Sequence, residues 1–176
     1  MQTERRTLYT SRLDEAVRVS LSCLSDSGAL IPDQPLFTAV SGGPDSMALC
    51  DVVERLCRKT GHPHIALILD HGLRAESADE ARSVQAFLDD RGIEAVCLTV
   101  MAPPPSSGKL EWARQQRFAL LTSYVRARRG ILMLGHHRDD QAETVGMRLA
   151  RGTGFGGARG MLPARLFNGV VCVRPF

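Results

Sequence analysis

The chain has 176 residues, 44% of them apolar and 23% charged, which suits one soluble globular domain with a real hydrophobic core. No apolar run approaches the roughly 20 residues of a membrane helix, and Met1 to Arg6 lacks the apolar core of a signal peptide, so the expected compartment is the cytoplasm. Five cysteines, an odd number with no C-x-x-C pair, sit mostly inside apolar patterns, which argues for buried thiols and against disulfides or a cysteine metal site.

In chain order, Leu8 to Leu24 has helical spacing, with Leu13, Val17, Leu21 and Leu24 on one face. Asp33-Gln-Pro35 breaks the chain before a first strand, Leu36 to Val40. A helix follows to about Thr60 and stops at Gly61-His62-Pro63. Ile65 to Leu69 is a short continuous apolar run, as a buried parallel strand requires. Ser77 to Arg91 is helical, with Ser77 as the N-cap and Glu80 three residues on, the pattern of a capping box. Glu94 to Val100 gives a third strand, and Ala102 to Gly108 a proline-rich loop. Leu110 to Arg128 is a basic helix, Ile131 to Leu134 a fourth strand, Asp139 to Arg151 another helix, and Val170 to Val173 a fifth strand. This alternation predicts an α/β fold, a parallel five-stranded sheet flanked by helices in the Rossmann-like manner, with ligands beyond the C-terminal strand ends.

Three of those ends carry chemistry. The first strand runs into Ser41-Gly42-Gly43-Pro44-Asp45-Ser46. A strand that stops at two glycines against a helix makes a cup of backbone N–H groups, suited to phosphate oxygens because first-turn amides lack helical partners. Gly42 and Gly43 permit positive φ, Pro44 fits the first helical turn, Ser41 and Ser46 offer hydroxyl donors, and Asp45 sets a carboxylate where Mg²⁺ would sit beside phosphates. A glycine turn with no ligand is the bland alternative. No lysine follows the glycines, which excludes a Walker A loop.

The second strand ends in Asp70-His71-Gly72-Leu73-Arg74, read either as nucleotide or nucleic-acid contacts or as a turn capped by Asp70. The fourth ends in Gly135-His136-His137-Arg138-Asp139-Asp140-Gln141-Ala142-Glu143-Thr144. Asp140 and Glu143, three apart on one helical face, suit a metal ion or an amine, while Asp139 alone could cap the helix. The two histidines lack the Cys pair or H-x-x-x-H of a zinc site. Arg151 opens a glycine-rich stretch, either a second backbone cradle or a flexible connection.

Charge is lopsided. Residues 1–108 hold 10 basic and 15 acidic side chains, whereas residues 109–176 hold 12 basic and 4 acidic. Twenty of the 22 basic residues are arginine, which grips phosphate with two parallel hydrogen bonds. Arg114, Arg117, Arg151 and Arg165 are among those that could form an electropositive face for nucleic acid, or simply a solvated one.

S-G-G-x-D-S after a strand resembles the PP-loop of the N-type ATP pyrophosphatases. Joined to D-H-G-L-R, H-H-x-D-D-Q-A-E-T, R-G-[ST]-G and Gly160-Met161, it resembles the tRNA(Ile)-lysidine synthetases over roughly Phe37 to Phe176, and Trp112 to Phe118 resembles that family's A-R-x-x-R-[YF] helix. The resemblance implies a single PP-loop domain over residues 1–176, of the adenine-nucleotide α-hydrolase type and cut short at its C-terminal end.

The implied chemistry has two steps. ATP adenylates C2 of the wobble cytidine in an isoleucine tRNA with a CAU anticodon, and L-lysine then displaces AMP. ATP and Mg²⁺ are the implied cofactors. Ser41 to Ser46, Asp70, His71, Gly135 and His136 would hold nucleotide, with Asp45, Asp140 and Glu143 catalytic and Asp45 and Asp140 on the metal. Arg74, Arg114, Arg117 and Arg151 would meet the tRNA. The alternatives are a PP-loop tRNA thiolase, which the lack of C-x-x-C disfavours, and a non-catalytic nucleotide- or tRNA-binding fragment.

Overall fold

The structure is a computed structural model that describes residues 2–70, 76–103, 105–135 and 163–175. Among the described residues four helices and six strands follow in the order α1 (Gln2–Asp26), β1 (Leu36–Val40), α2 (Pro44–Thr60), β2 (His64–Asp70), α3 (Ser77–Asp89), β3 (Ala95–Thr99), α4 (Lys109–Ala127), β4 (Ile131–Leu134), β5 (Ala164–Phe167) and β6 (Val170–Val173). The strands form one sheet in the order β3-β2-β1-β4-β6-β5. All neighbours are parallel except β5 and β6, which pair antiparallel.

The expected parallel α/β sheet is therefore present, with one strand more than the five expected. The sixth, β5, is joined to β6 by a two-residue turn. Asn168 and Gly169 both take positive φ, 49° and 77°, the pairing that matches the right-handed twist of a tight hairpin. The expected helix from Asp139 to Arg151 lies outside the described residues.

Period-two alternation divides the core. On one face Leu36, Ile131, Met133 and Val173 pack against Val17 and Leu24 of α1 and Leu49, Val52 and Val53 of α2, while Val40, Ala66 and Ile68 meet Ala81 and Leu88 of α3. On the other face Phe37, Leu67, Leu132, Leu134 and Val170 pack against Leu121 and Val125 of α4. Leu13, Val17, Leu21 and Leu24 do turn one side of α1 to the core. Outside that core, Arg55 of α2 reaches both carboxylate oxygens of Asp14 on α1, at 2.8 and 2.9 Å.

A polar chain runs through the N-terminal end of the sheet. Thr38 Oγ1 lies 2.9 Å from His64 Nε2, Glu54 Oε2 lies 2.7 Å from His64 Nδ1, and Arg58 donates to the other Glu54 oxygen at 2.6 Å. The His64 side chain is 1% exposed. Burial pushes its pKa below the usual value even though the Glu54 carboxylate pulls the other way. Burial also pushes the Glu54 carboxyl up, but hydrogen bonds from Arg58 and His64 outweigh it and leave the group below its usual range. The neutral ring then donates from Nδ1 to Glu54 and accepts the Thr38 hydroxyl proton at Nε2, so both ring nitrogens are satisfied.

The sign of the pH dependence follows. The unfolded His64 binds a proton as pH falls through about 6.5 while the folded one resists, so stability is present above that value and lost below it. Glu54, with a lowered folded pKa, adds a further loss below about 4.5. Urea unfolding at pH 7.5 and pH 5.5 should show the first loss, and His64→Gln should flatten it. An identical slope in the variant would remove His64 from the account.

Candidate active site at the C-terminal sheet edge

In strand order the chain runs outward from β1 through β2 to β3, then returns to β4 on the other side of β1. The junction of β1 and β4 is thus a topological switch point, where a crevice opens beyond the C-terminal strand ends. Val40 pairs with Ile68 and Ala39 with Leu134, so Ser41, Asp70 and Gly135 all sit at that edge.

The glycine turn is built in three parts. Gly42 takes φ +80°, a left-handed conformation that a side chain would strain, and a Cβ there would stand 3.0 Å from Val84 Cγ2. Gly43 is extended, φ −73° and ψ 156°, and acts as the N-cap of α2 with Pro44 at the first helical position. Only Gly42 uses the positive φ that both glycines permit. At Gly43 the missing side chain leaves room instead, since a Cβ would meet nothing nearer than Ser41 Oγ at 3.5 Å.

Ser46 is buried and braces the turn from beneath. Its Oγ accepts the Ser41 N–H at 3.1 Å, donates to the Gly43 carbonyl at 2.9 Å and lies 3.2 Å from Ser41 Oγ. The single Ser46 hydroxyl hydrogen is thereby used inside the loop, so Ser41 supplies the hydrogen between the two hydroxyls. Asp45 stands exposed in the first turn of α2, where the helix dipole favours a negative group.

Gly135 follows β4 directly and lies against this turn. A Cβ on it would stand 3.0 Å from Ser46 Cα and 3.2 Å from the Asp45 carbonyl oxygen. Asp70, the last residue of β2, is 7% exposed, and Ser77 Oγ donates to its Oδ1 at 2.6 Å. That bond changes the reading of α3. Ser77 is the first helical residue, with Glu76 in the N-cap position, so the expected capping box gives way to a hydroxyl drawn toward a buried carboxylate.

The structure thus brings Ser41 to Ser46, Asp70 and Gly135 to one edge. His71, Arg74, His136, Asp140, Glu143 and Arg151 lie outside the described residues. Arg114 and Arg117 stand on α4, across the sheet from α2. Burial and then the Arg114 charge lower the pKa of the half-buried Arg117. Among the described residues no group of three His, Cys, Asp or Glu side chains is placed to hold a metal ion. Cys50, Cys57 and Cys172 are buried. Burial pushes the Cys50 thiol up to about 11 and that of Cys57 to about 12, so neither is a ready thiolate.

Comparison with known proteins decides the family: the PP-loop domain profile matches residues 11–176. The chain belongs to the PP-loop domain family. Membership implies ATP binding. A protein of Methylobacterium sp. (strain 4-46) named tRNA(Ile)-lysidine synthase is 42% identical over 139 residues, covering 78% of this chain and 40% of the relative. One of the same name from Hyphomonas neptunium is 38% identical over 167 residues, 91% of this chain and 44% of the relative. The chain spans less than half the length of these curated relatives. The U34-tRNA thiolase NcsA of Methanococcus maripaludis, solved with its [4Fe-4S] cluster, superposes with a TM-score of 0.74 at 17% identity, over 96% of this chain and 59% of its own. That likeness shows the shared fold. No described helix is long and apolar enough to cross a membrane.

Ser46→Ala tests the bracing of the PP-loop. Two loop hydrogen bonds disappear and the Ser41 N–H loses its acceptor, so the expected cost is about 1–2 kcal/mol of stability with weaker ATP binding. Urea denaturation and calorimetric ATP titration of the same variant measure both. Unchanged values for both would show that the hydroxyl does not shape the loop.

Proposed function

We propose that this PP-loop domain binds ATP at the β1–β4 switch point and uses it to join L-lysine to C2 of the wobble cytidine of an isoleucine tRNA with a CAU anticodon. The observation that carries the reading is the turn at Gly42 and Gly43, which ends β1 and caps α2 without a side chain in the cup. Relatives about 40% identical and named for this activity support it.

The N–H groups of the turn and of the first turn of α2 receive phosphate oxygens, and the positive helix end offsets their charge. Asp45 beside them fits Mg²⁺, an ion that takes one or two carboxylates and completes its shell with phosphates and water. When bound, Mg²⁺ would offset charge on the departing pyrophosphate. Asp140 and Glu143, three apart in sequence, are assigned to the metal and the lysine ammonium, and His71 and His136 to the nucleotide. Arg74, Arg114, Arg117 and Arg151 are assigned to tRNA phosphates.

The order of bonds is fixed by the products. The cytidine C2 oxygen attacks the α-phosphorus of ATP and pyrophosphate leaves. The lysine amine then attacks C2, AMP departs with the oxygen, and the amine loses a proton. A thiolase would need a reactive thiol or a cluster. The buried, high-pKa thiols of Cys50 and Cys57 do not serve that chemistry.

Gly43→Val tests the nucleotide site. The backbone at Gly43 accepts a branched residue and the space is open, so melting temperature should hold while ATP affinity falls at least tenfold. A folded variant that binds ATP normally would displace the phosphates from this turn. The reaction itself is tested by supplying ATP, labelled lysine and isoleucine tRNA: label should enter the tRNA with release of AMP. ATP binding without lysine transfer would mark a nucleotide-binding module instead.

A further inference from the structure

α4 covers one face of the sheet only as far as β6. Beyond it, the β5–β6 hairpin and the N-terminal half of α4 enclose a groove of about 390 Å³, within the usual size range of ligand sites. Arg114 and Phe118 line it from α4, Arg165 and Phe167 from β5, and Arg174 from the end of β6. Among the described residues the lining carries three arginines and one acid, Glu111.

The two phenylalanines form an edge-to-face pair with centroids 5.5 Å apart, and the Arg165 guanidinium stands 5.5 Å from the Phe167 ring. The charges are crowded. The Arg174 pKa is lowered by burial first and by its neighbours Arg165 and Arg114 as well. Aromatic rings ringed by guanidinium groups are the chemistry that takes unpaired nucleotides, because a base stacks on the rings while its flanking phosphates meet the arginines. A continuous duplex buries its base faces and offers nothing to those rings.

Resting on the tRNA-modifying reading above, we propose that this groove holds unpaired nucleotides of the RNA substrate. Phe167, braced edge-on by Phe118, offers its ring to a base, and Arg114, Arg165 and Arg174 hold the phosphates on either side. The groove lies on the α4 face of the sheet, whereas the glycine turn leads into α2 on the opposite face.

Arg165→Glu and Phe167→Leu test it. Arg165 is exposed on an edge strand, so its reversal leaves the core intact, and leucine keeps Phe167's apolar bulk without a ring for stacking. Fluorescence anisotropy reads binding of an isoleucine-tRNA anticodon hairpin and of a fully paired duplex, over a salt series, alongside calorimetric ATP affinity. Wild type should prefer the hairpin. Arg165→Glu should weaken hairpin binding tenfold or more and reduce the salt slope by about one. Phe167→Leu should weaken it about fivefold or more with an unchanged slope, consistent with loss of a stacked base. Both variants should bind ATP as wild type does. Folded variants that bind the hairpin like wild type, or a wild type that binds duplex and hairpin equally, would overturn the proposal and leave the ATP site standing. A wild type with no RNA affinity would remove the tRNA reading as well.

Discussion

The close approach of β4 to the first turn of α2 is the constraint on which the rest of the architecture turns. Gly135 lies so near Ser46 that even a methyl group would stand 3.0 Å from its Cα. Only a glycine at the end of β4 lets that strand lie beside β1 while the helix begins directly above the junction. Ser46 uses the same turn from inside, its hydroxyl holding the Ser41 amide and the Gly43 carbonyl in place. A cup of amides is then fixed by the packing of the fold before any ligand arrives, and such preorganisation is what makes oriented dipoles effective against phosphate charge.

The two ends of the sheet divide the work. At the N-terminal end, Thr38, His64, Glu54 and Arg58 form a closed polar chain that spends its hydrogen bonds on linking β1, β2 and α2. At the C-terminal end, Ser41, Gly42 and Asp45 are exposed. Because α2 belongs to both ends, the buried chain fixes the register of the helix whose first turn forms the cup. Asp70 plays the matching part beside it, holding the start of α3 through Ser77 while its own carbonyl accepts the Val100 N–H at 3.0 Å.

Much of this was legible in the amino-acid sequence because backbone chemistry imposed it. The continuous apolar run at β2 and the Gly-Gly-Pro punctuation after β1 admit few alternatives, and the limits of β1, β4 and β6 agree with the pattern residue for residue. The sixth strand was missed for a physical reason: β5 is an edge strand with an exposed arginine and an exposed Leu166, so its apolar pattern is weak. Asn168-Gly169, a two-residue turn signal between Phe167 and Val170, was the clue to it. Ser77 was misassigned as a cap because its true partner, a buried carboxylate seven residues earlier, is a tertiary contact that local spacing does not encode. The arginine groove was hidden likewise. Arg114, Arg165 and Arg174 are dispersed in sequence and meet only when β6 pairs with β4 under α4.

Amide chemical shifts on titrating the labelled chain with Mg²⁺ and a non-hydrolysable ATP analogue test the central claim most directly. The account predicts that the largest shifts fall on Ser41, Gly42, Gly43, Asp45, Ser46 and Gly135, with those of β5 and the C-terminal half of α4 unmoved. Shifts concentrated on α4 and the β5–β6 hairpin, with the glycine turn silent, would contradict it.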